Sequence, residues 1–248
     1  MSNPVLNERS FSSSFDNSLE NEHFMTINGT IIKTFMLGLF LSITFAYTWY
    51  LQMNQFADKA FLLSKIGVIG GLIMVLIICF APKNKYLAIT TSIYAMFEGM
   101  TLGCISAIAN KFFNGIALQA ALSTILTLFG MLFLYSTKLV KCTEKFKMVI
   151  FNSTLAVCGI YVLQIILGFF HISIPGLFSN GPVGIIFSLA IIVIAAFNLI
   201  IDFDFIQQYA GKVPKYFEWY GGFSLMVTII WLYIEFLNLL MKLQSRDR

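Results

Sequence analysis

After a polar stretch running to about residue 28, the chain settles into seven long apolar blocks separated by short polar connections. Their bounds are roughly Ile31–Leu51, Leu62–Ala81, Leu87–Ala109, Ile116–Tyr135, Met148–Phe170, Val183–Phe203 and Gly222–Leu240. Each block is continuous for about 20 residues, enough for a helix rising about 1.5 Å per residue to cross a hydrocarbon core of about 30 Å. The strict alternation of an outer-membrane barrel strand is absent. The pattern predicts an all-α, polytopic membrane protein: a bundle of seven transmembrane helices over residues 29–242, flanked by a flexible tail (1–28) and a short polar C-terminus (243–248). There is no internal repeat.

Composition agrees with the pattern. Of the 248 residues, 58% are hydrophobic and 11% charged, with mean hydropathy +0.82. A soluble domain carries about 25% charged residues, so this surface belongs in lipid. The tail lacks the basic start and short apolar core of a signal peptide, and the first block is therefore expected to be kept. A net charge of +4, spread along the chain, offers no basic face for nucleic acid. The four cysteines form no C-x-x-C pair, and His23 and His171 stand alone in connecting stretches, so neither a disulfide framework nor a zinc site is expected.

Basic residues orient the bundle. The tail and the second, fourth and sixth connections hold ten Lys and Arg, with "STKLVKCTEKFK" the densest cluster, against six on the other side. The positive-inside rule then places the N-terminus in the cytoplasm and, after seven crossings, the C-terminus outside. The basic residues Lys242, Arg246 and Arg248 oppose that placement.

Two glycine pairs, Gly67-x-x-x-Gly71 and Gly99-x-x-x-Gly103, each mark one helix face for close backbone packing. The pair Gly221–Gly222 follows the aromatic-rich run Tyr216–Tyr220. It reads as a change of direction, with the aromatics lying as a belt at the membrane interface and the seventh helix starting at Gly222.

Acids carry the candidate chemistry. Those inside or at the edge of apolar blocks are Glu98, Asp202, Asp204 and Glu235. A charged carboxylate at bilayer depth costs at least ~2.5 kcal/mol, so such groups face a partner or a cavity and are functional candidates. Asp202 and Asp204, two residues apart on a helix, point to nearly opposite faces. Asp202, with Asn198 one turn before it, is assigned inward, and Asp204 to the solvated exit. Trp231, Glu235 and Asn238 share one stripe of the seventh helix, which should face the bundle. Glu98 lies beside the Gly99/Gly103 face.

The runs "EGMTLG", "IDFDFI" and "EWYGGFSLMVTIIWLYIEFLNLL", together with the "SNPVL" start, resemble the Bax inhibitor-1 family of transmembrane proteins, in its bacterial YccA-related branch. The resemblance implies a seven-helix bundle with the seventh helix near its centre, in a bacterial plasma membrane. It implies a pH-sensitive calcium leak, not an enzyme, gated by one acid from each of the sixth and seventh helices. Asp202 and Glu235 match those positions, and they would share a proton when the pore is shut and offer ligands to transient Ca2+ when it is open. Leak-type members more often carry aspartate where Glu235 stands. They also latch the acids with a basic residue at the end of the second helix, for which Lys83 or Lys85 is the nearest match. The rival expectation is an interaction protein without transport that modulates the quality control of other membrane proteins. In either case the partners are the bilayer and membrane components, with no resident cofactor and no nucleic acid.

Overall fold

The computed structural model describes residues 24–80, 84–170, 176–177 and 179–246. Most of the tail, both histidines and Lys83 lie outside the described residues. Among the described residues seven helices follow one another: α1 (Ile27–Met53), α2 (Ala57–Phe80), α3 (Leu87–Phe112), α4 (Ile116–Ser136), α5 (Glu144–Phe169), α6 (Pro182–Tyr209) and α7 (Phe217–Arg246). All seven are long and apolar enough to span a membrane, as the apolar blocks required. Large residues such as Phe35 (68% exposed), Leu126 (71%) and Ile186 (67%) point outward as lipid-facing residues do.

Local sequence sets the ends. Thr26 caps α1 by accepting a hydrogen bond from the Gly29 amide, and Thr143 caps α5 by accepting from Phe146. Pro182 opens α6, where its missing amide proton costs nothing. After α6 the chain turns at Gly211, whose φ of 76° favours glycine. That turn is pinned to the start of α1: the Gly211 amide donates to the Met25 carbonyl, and the Met25 amide donates to the Val213 carbonyl.

Small residues let the first three helices meet closely. A Cβ at Gly99 or Gly103 would run into the Leu41 or Phe45 carbonyl of α1 and the Thr44 or Thr48 hydroxyl beside it. On the opposite side of α3, a Cβ at Gly67 would meet Thr101 Oγ1 at 2.5 Å and the Phe97 carbonyl at 2.6 Å. Both glycine pairs are therefore packing faces, with α3 gripped between α1 and α2.

Helix α7 packs against α1, α3, α4 and α6. Its two sides feed two apolar cores. Phe223, Met226, Ile230, Tyr233 and Leu237 join α1, α3 and α4, while Leu225, Leu232 and Leu239 join α6. The seventh helix is thus central. Helix α5 is the outlier: it buries Ile150 and Val157 and leans on α6.

One expectation is corrected. Gly221–Gly222 is no change of direction, because α7 is helical from Phe217 straight through the pair. The glycines serve contact instead. A Cβ at Gly221 would press on the Thr30 methyl at 2.9 Å, and one at Gly222 on the Thr34 amide at 3.1 Å, so the pair brings α7 against α1. The run before it is accordingly part of the crossing helix rather than a separate interfacial belt. At the other end, α7 continues to Arg246, which makes residues 243–246 helical.

Candidate functional site

Helix α7 carries a row of polar side chains at Ser224, Thr228, Trp231, Glu235, Asn238 and Lys242. At about 100° per residue they fall within an arc of about 80°, and from Ser224 to Lys242 they span ~27 Å, close to the thickness of a bilayer core. The rest of the helix is predominantly apolar, which makes this row one continuous polar face.

Asp202 meets the row near its start. The residue is 9% exposed; Ser224 donates to Oδ1 at 2.5 Å and Thr228 to Oδ2 at 2.6 Å. Two hydroxyls one turn apart on α7 thus hold both oxygens of one acid from α6. Glu235, 2% exposed, is held separately. The Tyr161 hydroxyl of α5 donates to its Oε1 at 2.6 Å, and the Trp231 indole, one turn back on α7, donates to the same oxygen at 3.2 Å. Farther along, Lys242 donates to the Gly184 carbonyl at 3.0 Å and to Ser188 Oγ at 2.9 Å, which fastens the end of α7 to the start of α6.

The inward placement of Asp202 and Glu235 matches the reading of the sequence, but the two are not in contact. Among the described residues no hydrogen bond joins them. Thr228 and Glu235 are seven residues apart, ~10 Å along the axis, so the acids occupy successive levels of one face.

The remaining candidates distribute elsewhere. Asn198 donates to Thr154 Oγ1 of α5 at 2.9 Å and to its own helix at Ile194, so it ties α6 to α5. Asn238 is half-buried on the α7 face. Glu98 is half-buried between α2 and α3: its Oε1 lies where a Cβ on Gly71 would reach 3.0 Å, and the Tyr94 hydroxyl faces it. It is a separate group from the α7 row. Lys85 is exposed, its ammonium 5.7 Å from the centroid of the neighbouring Tyr86 ring.

Asp204 departs from the solvated exit expected of it. Its side chain is 15% exposed and paired with Lys147 of α5 at 2.9 Å. Gln208 donates to it at 2.6 Å, and the Tyr135 hydroxyl approaches at 3.4 Å. The carboxylate pins α5 and α4 to the end of α6. Nearby, burial with a further push from the Asp204 carboxylate raises the thiol of the connecting residue Cys142 to about 11.

Some groups escaped the sequence reading. Ser224 and Thr228 are spaced i, i+4 and fall on the same face as Glu235, so extending the Trp231–Glu235–Asn238 stripe backward would have found them. Tyr161 gave no signal, since one tyrosine in an apolar helix is unremarkable. Glu218, 1% exposed, was hidden among aromatics taken for a surface belt. It completes the cap of α1 from another helix: Glu218 Oε1 accepts from the Thr26 amide at 3.1 Å and the Thr26 hydroxyl at 2.9 Å. In a capping box the third helical residue supplies that carboxylate. Here that residue is Gly29, and a Cβ on it would collide with Glu218.

Among the described residues no group of three or more His, Cys, Asp or Glu is placed to hold a metal ion. No curated protein and no solved structure matches the chain. The family model described as Bax inhibitor 1 like matches residues 3–245. Nearly the whole chain, including both inward acids and all seven helices but for the last residue of α7, lies within that match: this is a seven-helix membrane protein of the Bax inhibitor 1-like family.

Proposed function

We propose that the protein is a pH-sensitive leak for cations, calcium foremost, and that Asp202 and Glu235 are the residues that sense pH and pass the ion along α7. The observation that carries this reading is the single polar face of the central helix, as long as a bilayer core is thick, with one buried acid at each of two levels. A helix that only packed would gain nothing from such a row, because every polar group in it must be matched with a partner at depth.

The chemistry follows from the acids. When protonated, each is neutral and the face is closed: Asp202 staples α6 to α7, its own O–H then donating to one of the two α7 hydroxyls while the other donates to its carbonyl oxygen, and Glu235 ties α7 to α5 through Tyr161. When ionised, each offers oxygen ligands of the kind calcium takes, and each gains from a cation what burial costs it. Flux should therefore rise with pH. The two acids act in this reading as successive stations, each with its own proton, in place of one shared proton. Lys242 sits beyond Glu235, where its ammonium borders the far end of the path.

The same reading puts the N-terminus on the cytoplasmic face of a bacterial plasma membrane. Lys242 supports that side, since it is hydrogen-bonded into the bundle and so drops out of the loop charges that opposed it. The test is calcium uptake by proteoliposomes between pH 5 and 8 for the wild type, Asp202→Asn, Glu235→Gln and the double variant Asp202→Asn/Glu235→Gln. Each amide should flatten the pH dependence in part and the double variant completely. Unchanged profiles in all three variants would remove the acids from the mechanism.

A further inference from the structure

Away from the polar face of α7, a cavity of about 530 Å³ lies where the starts of α1 and α7 meet. Its lining includes Phe24, Asn28, Ile32, Lys33, Lys215 and Glu218. Glu218 is almost completely buried, and its two oxygens fare differently. Oε1 caps α1 through Thr26, while Oε2 is buried without a hydrogen-bond partner. A buried carboxylate oxygen left in that state is costly and calls for a donor. The cavity supplies none of the usual neutralisation. Among the described residues the ion pairs are those of Lys147, so neither Lys33 nor Lys215 pairs with Glu218. The Lys33 ammonium instead rests 5.0 Å from the centroid of the Trp219 ring.

We propose that this cavity binds the headgroup of a zwitterionic aminophospholipid, with its phosphate held by Lys33 and Lys215 and its ammonium donated to Oε2 of Glu218. An acceptor in want of a donor and two unneutralised cations around one cavity match a ligand that carries an anion and an ammonium on one short arm. The place fits as well. The cavity lies at the end of the bundle where α1 and α7 begin, and Phe24 and Ile32 leave it as outward-facing apolar surface, 44% and 57% exposed. A lipid could seat its headgroup in the cavity with its chains along α1. Phosphate alone would satisfy the lysines, but it would set a second anion against Glu218.

The test is thermal unfolding of the purified full chain in detergent, titrated with phosphatidylethanolamine, phosphatidylglycerol, phosphoethanolamine or inorganic phosphate. Glu218→Gln keeps an acceptor for Thr26 and so retains the cap. The double variant Lys33→Gln/Lys215→Gln leaves the cap untouched. The wild type should be stabilised by phosphatidylethanolamine at about tenfold lower concentration than by phosphatidylglycerol, as a charge-assisted hydrogen bond implies. Glu218→Gln should lose that preference, and the lysine variant should respond weakly to both lipids. Equal responses of wild type and Glu218→Gln to phosphatidylethanolamine would overturn the proposal, as would no response to either lipid. Stabilisation by inorganic phosphate or phosphoethanolamine at the same concentrations as the lipid would assign the cavity to a soluble phosphate and also overturn it.

Discussion

Thr228 and Glu235 stand on one face of α7, seven residues apart, and each belongs to a different acid site. Thr228 donates to Asp202 of α6, and Glu235 accepts from Tyr161 of α5. The central helix therefore holds two carboxylates at two depths, each tied to a different neighbour. The two carboxylates share no hydrogen bond among the described residues, and the helix each one ties to α7 differs: Asp202 belongs to α6, and Glu235 reaches α5.

Asp202 should separate charge from geometry. Asp202→Ala leaves the hydroxyls of Ser224 and Thr228 without their acceptor, at a cost of about 1–3 kcal/mol, and thermal unfolding should register it as a lowered midpoint. Asp202→Asn retains a carbonyl acceptor and should cost less. An alanine variant as stable as the asparagine one would mean that the two hydroxyls do not depend on Asp202.

Tyr161→Phe removes the hydroxyl by which α5 reaches Glu235 while keeping the ring. If that bond holds the face closed, calcium uptake at acidic pH should rise several-fold in proteoliposomes, with little change in unfolding temperature. Uptake no higher than in the wild type would show that α5 takes no part in closure.

The glycine faces should respond according to what each meets. Gly103→Ala drives a methyl group against the Phe45 carbonyl and the Thr48 hydroxyl and should destabilise by about 1–3 kcal/mol through overpacking. Gly130→Ala, on α4, meets nothing within 4 Å. It should be neutral or stabilise by up to about 1 kcal/mol through helix propensity. The comparison is read by thermal unfolding, and equal effects would contradict the close approach of α1 and α3.

Cys142 provides a pH marker in a connection between helices. With its thiol raised to about 11, reaction with a soluble alkylating reagent should be slow at pH 8 and should still be rising at pH 10, because the thiolate is the nucleophile. Asp204→Asn removes the nearby negative charge and should speed the reaction at a given pH. A rate that levels off by pH 9 would contradict the raised pKa of this half-buried thiol.

The fold was legible in the sequence because lipid demands long uninterrupted apolar runs, and Leu87–Ala109 or Ile116–Tyr135 fell within a few residues of the helices that form. The inward acids were legible for the same reason, since a carboxylate such as Glu235 at bilayer depth stands out. What the sequence concealed was set by tertiary contact. Gly221–Gly222 signals a break on local propensity, yet in the bundle it is the place where α1 presses on α7. Glu218 looks like an interfacial charge until Gly29, 189 positions earlier, is seen to leave room for it. Asp204 looked solvated because its partner Lys147 lies at the start of another helix. The level of Asp202 relative to Glu235 depends on where α7 begins, and an expected start at Gly222 instead of Phe217 blurred it.

The central claim is that the polar face of α7 conducts calcium under the control of its acids. The most direct measurement is the initial rate of calcium uptake into vesicles containing the purified wild type, compared with protein-free vesicles, at pH 5 and pH 8. The expected result is uptake near the protein-free rate at pH 5 and well above it at pH 8. Uptake at the protein-free rate at both pH values, with the protein folded in the vesicles, would contradict the claim and leave the two acids as structural ties.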